Sequence, residues 1–429
     1  MKIAMLCHSS LGGSGAVASA LSKALVERGH IVHVISDHVP YSLRSELIGP
    51  LDIVAETATS AFELGVTNLT RLERIIARTG RVVTRPIRRI LGLIGSKSQL
   101  LFHPVEAIDY PLFSNQLLTL TAASALVHLL AKEKIDVIHA HYAIPFGLSA
   151  LLARTHYPTV PIVLTVHGTD ISVLGQEAAA QPMVVSALRG ASMVTAVSSV
   201  LADEAAALAG IQVPTVIGNF VDLSLHHPLP NEARLAARKK FASPEEAILV
   251  HASNFREVKR PLDLIEILEK VRVVRPARLL LAGDGPLIPD LKRLVREKHL
   301  QRHVDFLGPV SDLERILAIS DVFLLPSSSE SFGLAAAESL SCGTPVVASR
   351  VGGIPEMLGE TLAGGLHEVG DTTTAASNVL SILERPENDR VALRAAARGH
   401  AEQHFSADRP VEQYLAAYRS VQKDPLNLA

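Results

Sequence analysis

Ser329-Glu330-Ser331-Phe332-Gly333-Leu334-Ala335-Ala336-Ala337-Glu338 sets two carboxylates eight positions apart, with a Phe-Gly pair after the first and an alanine-rich run carrying the second. Just upstream, Val322-Phe323-Leu324-Leu325-Pro326 is an unbroken apolar run, which reads as a buried parallel strand, with Ser327-Ser328-Ser329 as its exit loop. Glu330 is therefore expected in a loop at the carboxyl end of a strand, and Glu338 about two turns into the next helix. Gly333 and Leu334 then fall near that helix's N-terminus, where free N–H groups and the helix dipole suit a phosphate. Carboxylates beside a phosphate site commonly grip sugar hydroxyls, because each oxygen accepts well-aimed O–H donors. The expected ligand is a nucleotide sugar, with Glu338 towards the ribose and Glu330 towards the transferred hexose. Spacing alone fits a capped surface helix with two solvated glutamates equally well.

The residues downstream of this stretch decide between the two readings. Cys342-Gly343-Thr344-Pro345-Val346-Val347-Ala348 is a helix stop and a new strand, and Gly352-Gly353-Ile354-Pro355-Glu356 a second glycine-rich strand exit. Both glutamates, the Phe-Gly pair and the Gly-Gly-x-Pro-Glu run together resemble the E-x7-E signature of glycosyltransferase family 4. That resemblance implies the GT-B fold, an α/β architecture of two Rossmann-like doubly wound domains facing a cleft.

Length and composition agree with two globular domains. The 429 residues suffice for two domains of roughly 200 residues, each with a full core. Hydrophobic content of 48% and charged content of 20% describe a globular chain rather than a disordered one. A net charge of -2 exerts no global pull towards nucleic acid or an acidic membrane. Only Cys7 and Cys342 occur, in what read as different domains, which argues against a disulfide framework and fits a reducing cytoplasm. No C-x-x-C or Cys/His metal cluster stands in the sequence. The apolar start, Met1 to Leu6, meets a glycine loop too soon for a signal peptide, and no run of ~20 uncharged apolar residues appears.

The first half opens as strand, glycine-rich turn, helix, strand. Lys2 to His8 reads as a strand, Ala16 to Arg28 as a helix and Ile31 to Ser36 as a second strand, joined through Leu11-Gly12-Gly13-Ser14-Gly15. Such a turn lets backbone approach an anion, although many α/β domains open this way for packing alone. Residues 57–100 break the rhythm. Basic residues run from Arg71 through Arg78 and Arg85 to Lys97, with apolar residues interleaved, Pro86 dividing the run and Glu73 the lone acid. The preferred reading is a solvated basic face on an insertion that packs on its own domain; weak contact of 71–97 with an anionic membrane surface is the alternative. Asp136 to Tyr142 and Pro161 to Thr165 read as strands ending in His139-Ala140-His141-Tyr142 and Val166-His167-Gly168-Thr169-Asp170. Three histidines at two neighbouring strand ends favour a site over three structural rings.

The second half repeats the alternation. Gly218-Asn219-Phe220-Val221-Asp222 leads into a Pro- and charge-rich passage, His226 to Glu246, read as the linker. Ala247 to Ala252 is then a strand, and Ser253-Asn254-Phe255-Arg256-Glu257-Val258-Lys259-Arg260 a basic loop whose cations suit a diphosphate. Strands come next at Leu279 to Ala282, Val304 to Gly308 and Asp321 to Leu325, with a terminal helix from Ala407 to Ser420. The expected domains are 1–220 on the acceptor side, 221–405 for the nucleotide sugar, and 406–429 as a helix crossing back to the first.

Within family 4, the runs around His139, His167, Asn219 and Asn254 to Arg260 resemble most the members that attach GlcNAc to L-malate, the first step towards bacillithiol. This implies UDP-GlcNAc and L-malate as substrates, retention at the anomeric carbon, and no metal or cofactor. It implies that Lys259 and the Gly13 loop hold the diphosphate with the N–H groups of Gly333 and Leu334. Phe332 and Asn254 complete the donor contacts, Glu338 takes the ribose, Glu330 the sugar, and His167 the C6 side near the reacting carbon. Ser14, Tyr142, Thr169 and Asn219 are the implied acceptor contacts. His167, Glu330 and Lys259 are the implied catalytic residues. The sequence departs from the pattern twice. Asn254 stands where many members carry Arg, which makes Arg256 the candidate second cation. Pro40-Tyr41-Ser42-Leu43 stands where the malate branch has an Arg after Pro-Phe, with Arg44 nearby but shifted. A lipid-linked or polyol acceptor therefore stays open beside malate, as does a non-catalytic nucleotide-sugar-binding protein. The oligomeric state is open too, a homodimer included.

Overall fold

The computed structural model describes residues 1–10, 13–40, 43, 99–105, 117–362 and 365–423. The basic stretch 71–97, Tyr41, Ser42 and Arg44 lie outside the described residues. Two all-parallel sheets carry the fold. The first contains β1 (Lys2–Leu6), β2 (Ile31–Ser36), β3 (Leu100–Pro104), β4 (Val137–His141), β5 (Ile162–Val166), β6 (Met193–Ala196) and β7 (Thr215–Val216). Its strand order is β3-β2-β1-β4-β5-β6-β7. The second contains β8 (Ala247–Ala252), β9 (Ala277–Ala282), β10 (Val304–Gly308), β11 (Val322–Leu325), β12 (Val346–Ser349) and β13 (Leu366–His367), ordered β10-β9-β8-β11-β12-β13. Each order runs outward from the first strand in both directions, the doubly wound pattern, and reverses at β1/β4 and at β8/β11.

The chain divides by its contacts into two compact units, Met1–Thr165 with Gln181–Met193 and Ala417–Ala429, and Val166–Ala180 with Val194–Ala416. In the first unit, the end of the terminal helix Asp408–Lys423 meets β4, where Tyr418 Oη lies 2.7 Å from His139 Nδ1. His139 Nε2 lies 2.7 Å from Thr165 Oγ1, so this histidine spends both ring nitrogens inside the core.

The second sheet shows why its strands read as unbroken apolar runs. Helices cover both faces, so alternate residues enter different cores. Ile248 and Val250 pack with Leu280, Phe323 and Leu340 on one side. Leu249 packs with Leu264, Leu279, Leu281 and Leu324 on the other. Each such side chain, removed wholly from water, contributes about 1.5–3 kcal/mol.

The passage read as a linker contains a helix, Asn231–Arg238. Pro230 at its N-cap and the i, i+4 spacing of Arg234 and Arg238 explain it. Both guanidiniums reach Asp321, each at 2.9 Å, just before β11. The expected start of the strand at Asp321 is also corrected: its carboxylate accepts from Ile248 N at 2.8 Å instead, joining β8 to β11.

Candidate active site of the second unit

The site lies where the second sheet reverses, past the carboxyl ends of β8 and β11. Glu330 sits in the exit loop of β11, and Gly333 is the N-cap of the helix Leu334–Ser341. Because that helix starts at Leu334, Glu338 stands about one turn in, rather than the two turns expected. Gly333 needs its freedom from a side chain: its φ is 84°, and a Cβ would come within 2.4 Å of Ile354 Cδ1.

Past β8, the basic loop turns through a 3-10 segment, Glu257–Lys259, into the helix Pro261–Val274. Lys259 Nζ donates to Glu330 Oε1 at 2.6 Å, and Ser327 Oγ donates to the same oxygen at 2.9 Å. The Glu330 side chain is 9% exposed and that of Lys259 22%, so the pair is shielded but open to a ligand. Ser328 ties the two loops together, its N–H donating to Val258 O at 2.8 Å. Asn254 and Arg256 are exposed on the same loop. With its amide oxygen turned towards Arg256, Asn254 accepts from both Nε and Nη2 at 3.1 Å. Asn254 thus holds the Arg256 guanidinium by two hydrogen bonds.

The Glu338 side chain has no hydrogen bond or ion pair among the described residues, leaving its oxygens available. Burial raises its carboxyl above the usual range; His226 opposes this and Glu314 adds to it. A carboxyl with a raised pKa loses its charge earlier as pH falls. UDP affinity is therefore expected to drop as the pH is lowered, and Glu338→Gln to flatten the profile, as titration calorimetry at several pH values would read.

The second unit also groups His167, Thr169 and Asn219 with these residues. Asp170, fully buried, accepts from His167 N at 3.1 Å and Gly168 N at 2.9 Å, which fixes the turn after β5. Gly168 has φ 121°, and a Cβ there would come within 1.7 Å of Ser331 Oγ, so the His167 turn packs directly on the Glu330 loop. A Cβ at Gly218, beside Asn219, would stand 3.6 Å from Phe332 Cε2, an ordinary van der Waals contact. Asn219 is buried with Oδ1 unsatisfied. Gly13, Ser14 and Tyr142 belong to the first unit. There Gly13 caps the helix Ser14–Glu27, Ser14 is buried, and Tyr142 has a φ of 79°, a strained value for a tyrosine. His8 meets Tyr142 edge-on at 5.7 Å.

Reasoning from the sequence missed Ser327, Asp170, Ser331 and His8. Ser327, Ser331 and Asp170 stand inside runs quoted for other residues, and the Gly-Thr-Asp run after His167 favours a site there without giving Asp170 a part of its own.

Two family models match the chain: Glycosyltransferase Family 4 over residues 11–225 and Glycosyl transferases group 1 over 234–400. N-acetyl-alpha-D-glucosaminyl L-malate synthase of Bacillus anthracis is 32% identical over 430 residues, 100% of this chain and 99% of its own length. The chain belongs to glycosyltransferase family 4. D-inositol 3-phosphate glycosyltransferase of Mycolicibacterium smegmatis is 32% identical over 344 residues, 75% of this chain and 76% of its own. The crystal structure of Anabaena HepE in complex with UDP and glucose superimposes with a TM-score of 0.71 at 19% identity, covering 98% of this glycosyltransferase and 100% of HepE. The fold is GT-B, as the doubled strand order implies, and the family 4 glycosyltransferase is an enzyme of sugar transfer. Among its described residues no helix is long and apolar enough to cross a membrane.

One titrating core group belongs to this site's frame. His251 on β8 is fully buried, and burial lowers its pKa to about 4. Between pH 6.5 and 4 the unfolded chain takes a proton that the folded ring refuses. Stability is thus complete above pH 6.5 and falls by about 3 kcal/mol as pH drops to 4. His251→Asn is expected to show a shallower fall of Tm with acidification over that window.

Proposed function

We propose that this enzyme transfers GlcNAc from UDP-GlcNAc to the hydroxyl of L-malate, with retention and without a metal, in the cytoplasm. The donor half rests on one observation: Lys259 and Glu330, paired at 2.6 Å, stand beside the N-terminus of the helix that carries Glu338. The acceptor half is supported by the 32% identity with the malate synthase across the full chain.

In this reading the Lys259 ammonium, the Arg256 guanidinium and the Gly333 and Leu334 N–H groups receive the diphosphate and the charge that develops on it. Glu338 accepts from the ribose hydroxyls and Glu330 from the hexose. The malate hydroxyl oxygen attacks C1 on the face the diphosphate leaves. The C1–O bond to the β-phosphate breaks, and the departing phosphate oxygen takes the hydroxyl proton. No covalent glycosyl-enzyme forms. His167 lies on the sugar's C6 side, and Ser14, Tyr142, Thr169 and Asn219 hold the acceptor.

The identity with D-inositol 3-phosphate glycosyltransferase favours a second reading, the same donor with a polyol phosphate acceptor. Incubation with UDP-GlcNAc and either L-malate or D-inositol 3-phosphate, read by mass spectrometry and proton NMR of the product, separates them. The expected product is the α-GlcNAc glycoside of malate. A product formed only with the inositol phosphate would replace malate, a β-linked product would refute retention, and no transfer to either would refute both acceptors.

A further inference from the structure

The turn that presents Asn254, Arg256 and Lys259 is held by a directed chain of hydrogen bonds that begins inside the second sheet. His251 Nδ1 lies 2.8 Å from Leu324 O on β11. A carbonyl only accepts, so Nδ1 carries the proton. His251 Nε2 lies 2.7 Å from Ser253 Oγ. In the uncharged ring that nitrogen is an acceptor, so the Ser253 hydroxyl donates to it. Ser253 Oγ then accepts from Phe255 N–H at 3.1 Å. Every direction is fixed by the one before it.

The end of this chain is a strained residue. Phe255 has φ 38° and is fully buried, edge-on to the His251 ring at a centroid distance of 5.5 Å. A bulky residue enters that region only when its surroundings hold it. Asn254 and Arg256 flank it, and Lys259 comes one turn later. At its other end the chain grips Leu324, six residues before Glu330 on the neighbouring strand exit. His251 thus joins the two strands whose exits carry the cation and the carboxylate of the site.

We propose that His251, acting through Ser253, is a positioning residue for the donor diphosphate: it sets the Phe255 turn that aims Arg256 and Lys259. The inference rests on the donor half of the proposed function. Ligand contact belongs to the cations; the relay determines where they stand. Loss of the Ser253 hydroxyl leaves the Phe255 N–H and His251 Nε2 unsatisfied and lets the turn relax, while the sheet beneath keeps its Leu324 bond.

The test compares UDP with uridine by titration calorimetry, because only UDP carries the diphosphate. The wild-type enzyme is expected to bind UDP more tightly than uridine. Ser253→Ala is expected to cut that preference at least ~10-fold and to raise KM for UDP-GlcNAc in proportion, with uridine affinity and KM for the acceptor unchanged. Ser253→Thr, which restores the hydroxyl, is expected to recover the preference. His251→Asn keeps a donor for Leu324 O but offers Ser253 nothing, and is expected to behave as Ser253→Ala. Should it fail to fold, the Ser253 pair decides. A Ser253→Ala enzyme with the wild-type preference for UDP overturns the inference and leaves the donor reading standing. A wild-type enzyme without that preference overturns the donor reading and this inference with it.

Discussion

Lys259→Ala and Glu330→Ala are each expected to lower kcat at least ~100-fold, because in the proposed reaction each removes a group that meets charge or hydroxyls in the transition state. The two groups lie 2.6 Å apart, with Ser327 on the same carboxylate oxygen, so they act as a unit. The double variant is therefore expected to lose little more than either single one, well short of the product of the two. Lys259→Arg keeps the charge but not its point-like shape, and is expected to recover only part of the rate. Steady-state kinetics with UDP-GlcNAc and malate decide. Near-normal turnover in either alanine variant removes that residue from the site, and full additivity separates the pair.

Gly352→Ala is expected to cost nearly as much without touching a ligand. A Cβ at Gly352 would stand 1.9 Å from Glu330 O, and its φ is 49°. Gly353 N–H donates to that same carbonyl at 3.0 Å. The obstacle is backbone, so it cannot swing aside, and the Glu330 loop must move. A shift of about 1 Å in a catalytic group can cost ~100-fold in rate. Strain of this kind destabilises by about 1–3 kcal/mol. Gly399→Ala, in the helix Glu387–His404 with open space at its Cβ, is the control and is expected to stabilise by about 0.5–1 kcal/mol. Equal Tm and rate in Gly352→Ala and the wild-type enzyme would contradict the packing.

Much of the fold and the placement of the candidate site at strand exits was legible in the sequence, because apolar runs ending in Ser, Gly or Asn mark those exits. The β11 run with Glu330 after it, and the β8 run before the basic loop, fell where read. The Gly-Gly of 352–353 read as an exit turn, but not as a surface cut to fit Glu330, because a close approach through space leaves no trace in spacing. The helix Asn231–Arg238 was hidden by its flanking prolines and charges, and its arginines pair with Asp321, 83 or more residues away. β3 was missed since it comes after the long basic stretch and carries only five residues. His251 read as one more apolar-strand residue; its role needs Leu324 and Ser253 on either side of it.

The position of bound UDP bears most directly on the proposed site, and a crystal structure of the enzyme with UDP measures it. The β-phosphate is expected within hydrogen-bond reach of Lys259 Nζ and the Gly333 or Leu334 N–H, with the ribose hydroxyls on Glu338. A nucleotide seated away from Lys259 and Glu338 would contradict the site proposed for the second unit.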